Sequence, residues 1–403
     1  MNNGLHGRLM SDIDRWILPD GVEELLPRQA EPLEKIRRNV LDLFHSWGYE
    51  LVAPPLIEYI ESLLVGTGND LDLQTFKLTD QVTGRLLGVR ADMTPQVARI
   101  DAHCLNRDCP VRLCYIGEVL RTRSTGFIRT RSPLQVGAEL YGHDGIGSDV
   151  EILSLMAATL AAVGLSEVHI DLGHVGIFRA LARDAGLTTD QEQSLFTSLQ
   201  RKARPEITEQ LARYDINRKL SQMLMALADL NGGDEVLTGA RRLLKDAGTG
   251  VQSALENLER IATKARQRVP DVPLHFDLAE LRGYRYQTGV VFAAFVPGHG
   301  EEIARGGRYD DIGKAFGRAR PATGFSLDLK TLIALTDTVA GLPSAIMAPH
   351  VSDAALFAAV DQLRQQGERV IYELPRQQGD ARAMGCDRVL VQQDGKWLVR
   401  AID

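Results

Sequence analysis

Between Pro32 and Trp47 the apolar residues Leu33, Ile36, Val40, Leu41, Phe44 and Trp47 recur at offsets of three and four. That spacing places them on one face of an amphipathic helix. Gly48 ends the helix, and YELVAPPLIEY then reads as a strand interrupted by Pro54 and Pro55. Two prolines cannot donate ladder hydrogen bonds in a central strand, so the segment is expected at an edge or an interface. From Arg85 to Gly142 the runs GRLLGVR, VRLCYIGEVLR and SPLQVGAELYG are separated by polar, arginine-bearing turns, the pattern of an antiparallel meander rather than of alternating βαβ units. Ser148 to Val163 is helical again.

Residues 180–267 are helix-compatible almost throughout (QEQSLFTSLQRK, RKLSQMLMALADL, VLTGARRLLKDA, ALENLERIATKA). Strand signals return with LHFDLAELRGYRYQTGVVFAAFV, reach a glycine-rich turn at Ala304 to Tyr309, and lead into a strand-to-helix passage, ATGFSLDLKTLIAL. The predicted organisation is a core of residues 1–179 and 268–340, split by a helical insertion at 180–267. Residues 341–403 alternate strand and helix and predict a small C-terminal α/β domain. The fold class expected is α+β.

The 403 residues, 44% hydrophobic and 25% charged, are ordinary globular material. A formal charge of -7 supplies no overall basic field for sequence-independent nucleic-acid binding. The apolar tract around Leu153 to Leu165 is too short and too interrupted to span a bilayer, and no signal core opens the chain, so a soluble cytoplasmic protein without membrane attachment is expected. Cys104, Cys109 and Cys114 lack zinc-ribbon spacing and, with Cys386, are expected to be reduced, packed thiols. GTGND at Gly66 to Asp70 has no Walker lysine and reads as a plain loop. No catalytic triad, metal-ligand helix or cofactor motif can be picked out.

The stretch from Cys114 to Gly142 carries more. Arg121, Arg123, Arg129 and Arg131 flank a turn between two apolar strands, an arrangement suited to an anion. On the second strand Gln135 and Glu139 are four apart and share a face. An amide and a carboxylate beside a basic turn suit a zwitterion or an imidazole; the plainer alternative is a solvated loop and a polar sheet face.

CYIGEVLRTRSTGFIRTRSPLQVGAELYG resembles motif 2 of class II aminoacyl-tRNA synthetases in its histidyl version. YELVAPPLIEY is similar to motif 1, LRGYRYQTGVVF to the signature peculiar to histidyl enzymes, and ARGGRYDDIGKAFGRARPATGFSLDLKTL to motif 3, while VRADMTPQVAR stands where those enzymes have Arg-Pro-Glu-Gly-Thr. The resemblance covers most of residues 15–335. It implies a class II synthetase-like antiparallel sheet flanked by helices, dimerising through motif 1, with a helical insertion before the histidyl signature. It also implies a histidine pocket of Asp92, Thr94, Gln135, Glu139, Arg282 and Tyr286, with Arg121 as an anion-binding side chain.

The departures bear on function. Arg123 stands where the synthetases have a glutamate beside the nucleotide, and Asp328, Leu329, Lys330, Thr331 replace Gly-Leu-Glu-Arg, so the arginine that stacks on adenine is absent. Arg285 and Gln287 replace an aspartate and a tyrosine of the signature, and the tail is short for an anticodon-binding domain. A kept amino-acid pocket without the ATP apparatus resembles the family of regulatory subunits that accompany short-form ATP phosphoribosyltransferase. That resemblance implies no catalysis by this chain and no cofactor or metal. It implies a catalytic phosphoribosyltransferase subunit as partner, histidine as effector, and a homodimer within a larger hetero-oligomer serving the first step of histidine biosynthesis. An active histidyl-tRNA synthetase and a synthetase-like binder acting on tRNA are the other readings.

Overall fold

A computed structural model describes residues 16–65, 69–124, 130–280, 283–284, 286–336 and 344–402. The chain forms two compact units, one of Met1–Glu24 with Leu33–Asp337 and one of Leu25–Pro32 with Thr338–Asp403.

Helix α1 (Pro27–Ser46), which belongs to the first unit from Leu33 on, buries Ile36, Val40 and Phe44 there, the face that the spacing predicts. Burying an aliphatic or aromatic side chain of this size stabilises by roughly 1.5–3 kcal/mol. Gly48 takes a positive φ of 81°, which a side chain would oppose, and the chain turns away. Strands β1 (Glu50–Leu51) and β2 (Ile57–Tyr59) lie on either side of the proline pair, followed by helices α2 (Ile60–Leu63) and α3 (Asn69–Gln74) and strands β3 (Phe76–Thr79) and β4 (Leu86–Val89). Here the expected meander is corrected: β4 pairs with β2 and β3 in a separate three-stranded sheet. The break comes from α4 (Thr94–Arg99), which runs into a π-helical turn at Ile100–Leu105 and carries the chain to a different sheet.

That larger sheet holds nine strands. Its first hairpin is β5 (Val111–Glu118) and β6 (Leu134–Tyr141), followed by helix α5 (Ile146–Val163) and strand β7 (His169–His174). Helices α6 (Val175–Asp184), α7 (Thr189–Gln200), α8 (Arg204–Arg213) and α9 (Arg218–Leu227) come next, then strand β8 (Asn231–Gly232) and helices α10 (Glu235–Leu243) and α11 (Thr249–Arg268). Strands β9 (Leu274–Asp277), β10 (Val290–Phe295), β11 (Ala304–Arg308) and β12 (Ala322–Asp328) complete the sheet, and helix α12 (Leu329–Ala334) follows. The strand order is β1-β5-β6-β12-β11-β10-β7-β9-β8, antiparallel except for the parallel pairs β1·β5 and β7·β9.

One face of this sheet packs on α1, α5 and the helices between β7 and β9, in a core with Val136, Ala138, Leu140, Leu172 and Phe325. Helix α5 has a mean hydropathy of 1.6 over 18 residues, enough to cross a membrane by composition, but 72% of it is buried within the fold. The other face carries Leu113, Tyr115, Tyr141 and Tyr309, packed on α4, the π-helical turn and a 3-10 turn at Ile312–Phe316. The expected turn at Ala304–Tyr309 is strand β11. Gly306 and Gly307 do not bend it but let neighbours close in: a Cβ on Gly306 would lie 2.3 Å from the Gly324 carbonyl oxygen and 2.5 Å from the Phe292 ring. All four cysteines are free; Cys114 and Cys386 are buried, whereas Cys104 and Cys109 are exposed rather than packed.

The second unit contains β13 (Ile346–Ala348), α13 (Ala354–Gln365), β14 (Val370–Tyr372), β15 (Arg388–Gln393) and β16 (Lys396–Ala401), in sheet order β14-β13-β15-β16. The first three strands run parallel and the last pairs antiparallel. Ile346, Ala348, Leu356, Val360, Val370 and Leu390 form its core. Asp353 caps α13 and accepts the Trp397 indole N–H at 2.8 Å.

Candidate functional site

The polar positions of β6 face away from the α5 core. Gln135 and Glu139 are 4% and 1% exposed, so both are committed to partners rather than to water. Gly137 lies between them on the same face; a Cβ there would sit 2.3 Å from the Tyr115 hydroxyl. Its absence admits the tyrosine, which donates to Glu139 Oε1 at 2.9 Å. On the neighbouring strand Gly324 is in register with Glu139, and a Cβ there would fall 1.5 Å from Glu139 Oε2. The two glycines thus clear the floor for one carboxylate.

Tyr309 donates to Glu139 Oε2, and Thr94 Oγ1 donates to Oε1 at 3.4 Å. Burial pushes the Glu139 carboxyl up to about 8, against the pull of the Tyr309 and Tyr115 hydroxyls. A buried carboxyl is disfavoured in its charged form unless a counter-charge arrives. Gln135 ties the start of α4 to the sheet: its Nε2 donates to Asp92 Oδ1 at 2.9 Å, and its Oε1 accepts from the Met93 N–H at 2.9 Å. The Thr94 N–H also donates to Asp92 Oδ1, at 2.9 Å.

An open cavity lies over this floor. Asp92, Thr94, Glu139 and Tyr286 line it together, while Gln135 buttresses Asp92 from behind. Tyr286 is 44% exposed, its ring edge-on to Tyr309 at 6.4 Å between centroids. Arg282, the sixth expected member, lies outside the described residues. Arg121 does not line the cavity; it donates to the Ala91 carbonyl at 3.4 Å, and burial lowers its pKa against the pull of Asp92. Arg129, in the basic turn, and Gly66, Thr67 and Gly68 of the GTGND loop also lie outside the described residues.

Sequence reading missed Glu280, Arg305, Tyr309 and Tyr115, the first three lining the cavity and the last holding Glu139 from beneath. Gln287, read only as a lost tyrosine, is also a wall residue. It is 4% exposed, and its Oε1 accepts no hydrogen bond from any described residue. The cavity therefore offers carboxylates, an exposed guanidinium and an unused acceptor, a set able to hold a small zwitterion with a polar side chain.

At the adjoining strand end, Asp328, Lys330 and Thr331, which the resemblance sets against Gly-Leu-Glu-Arg, bond to one another and to the neighbouring Leu134 and Ser132. Asp328 Oδ1 accepts the Leu134 N–H at 2.9 Å and the Lys330 N–H at 3.1 Å, capping α12, and Thr331 Oγ1 donates to Oδ2 at 2.7 Å. Lys330 Nζ turns back to the Ser132 carbonyl at 2.7 Å. A short flexible ammonium held there cannot serve as a stacked planar guanidinium.

A family model for histidyl-tRNA synthetase matches residues 21–332, and one for the ATP phosphoribosyltransferase subunit HisZ C-terminal domain matches residues 343–400. The ATP phosphoribosyltransferase regulatory subunit of Thioalkalivibrio sulfidiphilus is 61% identical over 392 residues, covering 97% of this chain and 99% of the relative. That of Methylococcus capsulatus is 59% identical over 389 residues, 96% of each chain. A solved structure from Bacillus halodurans, described as an ATP phosphoribosyltransferase regulatory subunit/histidyl-tRNA synthetase, superposes with a TM-score of 0.81 at 29% identity, covering 92% of this chain and 96% of that one. Histidyl-tRNA synthetase from Nostoc sp. PCC 7120 shares the fold, with a TM-score of 0.78 at 20% identity over 96% and 97% of the two chains. The chain belongs to the ATP phosphoribosyltransferase regulatory subunits, a family built on the histidyl-tRNA synthetase fold.

Proposed function

We propose that this chain is a non-catalytic cytoplasmic subunit that joins a short catalytic phosphoribosyltransferase subunit, raises its activity, and transmits inhibition by histidine bound over Glu139. The observation that carries the reading is the contrast between two neighbouring regions. The amino-acid cavity keeps Asp92, Thr94, Gln135 and Glu139 in one bonded cluster, whereas Asp328, Lys330 and Thr331 close on themselves where adenine would stack. Binding is supported and adenylation is not, since activation of an amino acid depends on placed positive charge around the reacting phosphate.

Histidine fits the cavity by charge. Its ammonium group meets Asp92, its carboxylate has Arg305 and Arg282 as candidate cationic partners, and its imidazole has Glu139 and Tyr309 as donor or acceptor partners. Inhibition then requires that the complex hold histidine more tightly in its less active state, because a ligand with no differential affinity shifts nothing. Dimerisation within a larger hetero-oligomer, without nucleic acid or membrane, completes the proposal.

The test mixes the full chain with the short catalytic subunit and measures phosphoribosyl transfer across a histidine titration. A rate that rises with added chain and falls with histidine is expected, together with no histidine-dependent pyrophosphate exchange by the chain alone. A catalytic subunit whose binding and rate are indifferent to this chain would overturn the proposal, and pyrophosphate exchange at a synthetase-like rate would replace it with the synthetase reading.

A further inference from the structure

The parallel pair β7 and β9 joins the strand that enters the run of helices α6–α11 to the strand that leaves it. In β7, residues alternate between the helix-packed core (Ile170, Leu172) and the opposite face, where His169 and Asp171 project. In β9, His275 stands in register with Asp171. The ligand atoms of His169, Asp171 and His275 all lie within 4.8 Å of one another, and His275 Nδ1 is 3.8 Å from Asp171 Oδ1. We propose that these three side chains bind a divalent first-row transition-metal ion, zinc being the best fit, through two imidazole nitrogens and one carboxylate oxygen.

Two further observations support a built site. Asp171 Oδ1 is buried and accepts no hydrogen bond from any described residue, an unmet acceptor that a bound ion accounts for. His169 is not a free rotor: its ring stacks on Phe295 with centroids 5.5 Å apart and planes 17° from parallel, while the His275 ring centroid lies 5.0 Å from its own. Strand register fixes Asp171 against His275, and the stack fixes His169.

Zinc takes nitrogen and carboxylate ligands at about 2.0–2.2 Å, so in a tetrahedral site ligand atoms stand roughly 3.3–3.5 Å apart. Rotation of the His275 side chain, 51% exposed, can supply the contraction. Three ligands leave a fourth position for water or an external group. Hard ions such as magnesium prefer oxygen donors and are not expected here.

The position gives the ion a role. Asp171 and His275 are separated by the whole run of helices, so metal binding would clip together the two ends of a long excursion, where chain closure is entropically most demanding. The site also shares a sheet face with the amino-acid cavity: Asp171 is in register with Ala293, and Ala293 with Arg305.

The test uses the tag-free full chain with Cys104→Ser and Cys109→Ser, so that the exposed thiols cannot take the metal, stripped with chelator and titrated with zinc chloride in a calorimeter. One zinc per chain is expected, with His275→Ala and Asp171→Asn each weakening binding at least tenfold. Zinc should raise the melting temperature of the parent protein and leave that of the His275→Ala variant unmoved, and magnesium should do neither. Failure to bind stoichiometric zinc would overturn the proposal, as would a His275→Ala or His169→Ala protein that binds zinc as tightly as the parent.

Discussion

Replacing Glu139 by glutamine keeps the shape of the side chain and removes its titration. The carboxyl is 1% exposed, and burial lifts it from 4.5 to about 8. Between those values the folded chain holds a proton that the unfolded chain has released, so the stabilisation is fully present below about 4.5 and is lost as pH rises through 8. The whole displacement corresponds to on the order of 5 kcal/mol. Urea denaturation of both proteins at pH 5, 7 and 9, followed by near-ultraviolet circular dichroism, reads this directly. Glu139→Gln should be at par with or below the parent at pH 5 and gain on it by several kcal/mol by pH 9. Parallel stability curves across that range would refute the reasoning, because they would mean that Glu139 ionises in the folded chain as it does in water. The same variant should bind histidine at least tenfold more weakly at pH 8, since a charged hydrogen-bond partner contributes roughly 1.5–3 kcal/mol; an unchanged calorimetric isotherm would place histidine elsewhere.

Gly324→Ala puts a methyl group 1.5 Å from Glu139 Oε2, so the carboxylate must move; a loss of about 1–3 kcal/mol and of calorimetric histidine binding is expected, and retained affinity would show that the floor is not tight. Asp149→Ala takes from Arg308 its buried carboxylate partner, 3.0 Å from the guanidinium with both side chains under 10% exposed, and leaves it only the 36% exposed Asp310 at 3.1 Å. Removing one partner of such a pair typically costs 3–5 kcal/mol, and a urea-measured loss below about 1 kcal/mol would count against the pair as a buried, dry ion pair.

Where a local period decides the geometry, the sequence was readable. Helix α1 buries the stripe that its spacing marks, and Gln135 and Glu139 share a face because strand side chains alternate. What local patterns could not show is which strands become neighbours. Glu280, Arg305 and Tyr309 come to the cavity from segments far from Asp92 in the chain, so no spacing announces them. Gly306 and Gly307 were misread because glycine signals both turns and close packing, and only the tertiary position of Phe292 and Gly324 decides between them. The three candidate metal ligands evaded the sequence for the same reason: His275 meets Asp171 only through a parallel pairing across the whole run of helices.

The Asp328 network also has an evolutionary consequence. One carboxylate caps α12, holds the Leu134 N–H and receives the Thr331 hydroxyl, while Lys330 fastens the same corner to Ser132. Putting an arginine back at position 331 would break the hydroxyl bond yet leave the carboxylate and the lysine occupying the corner. Putting a glycine back at 328 would release the cap before any nucleotide contact was regained. Each single step toward the Gly-Leu-Glu-Arg of the synthetases thus breaks a bond of this corner before it brings a nucleotide contact, so the present arrangement works as a ratchet, held by stability.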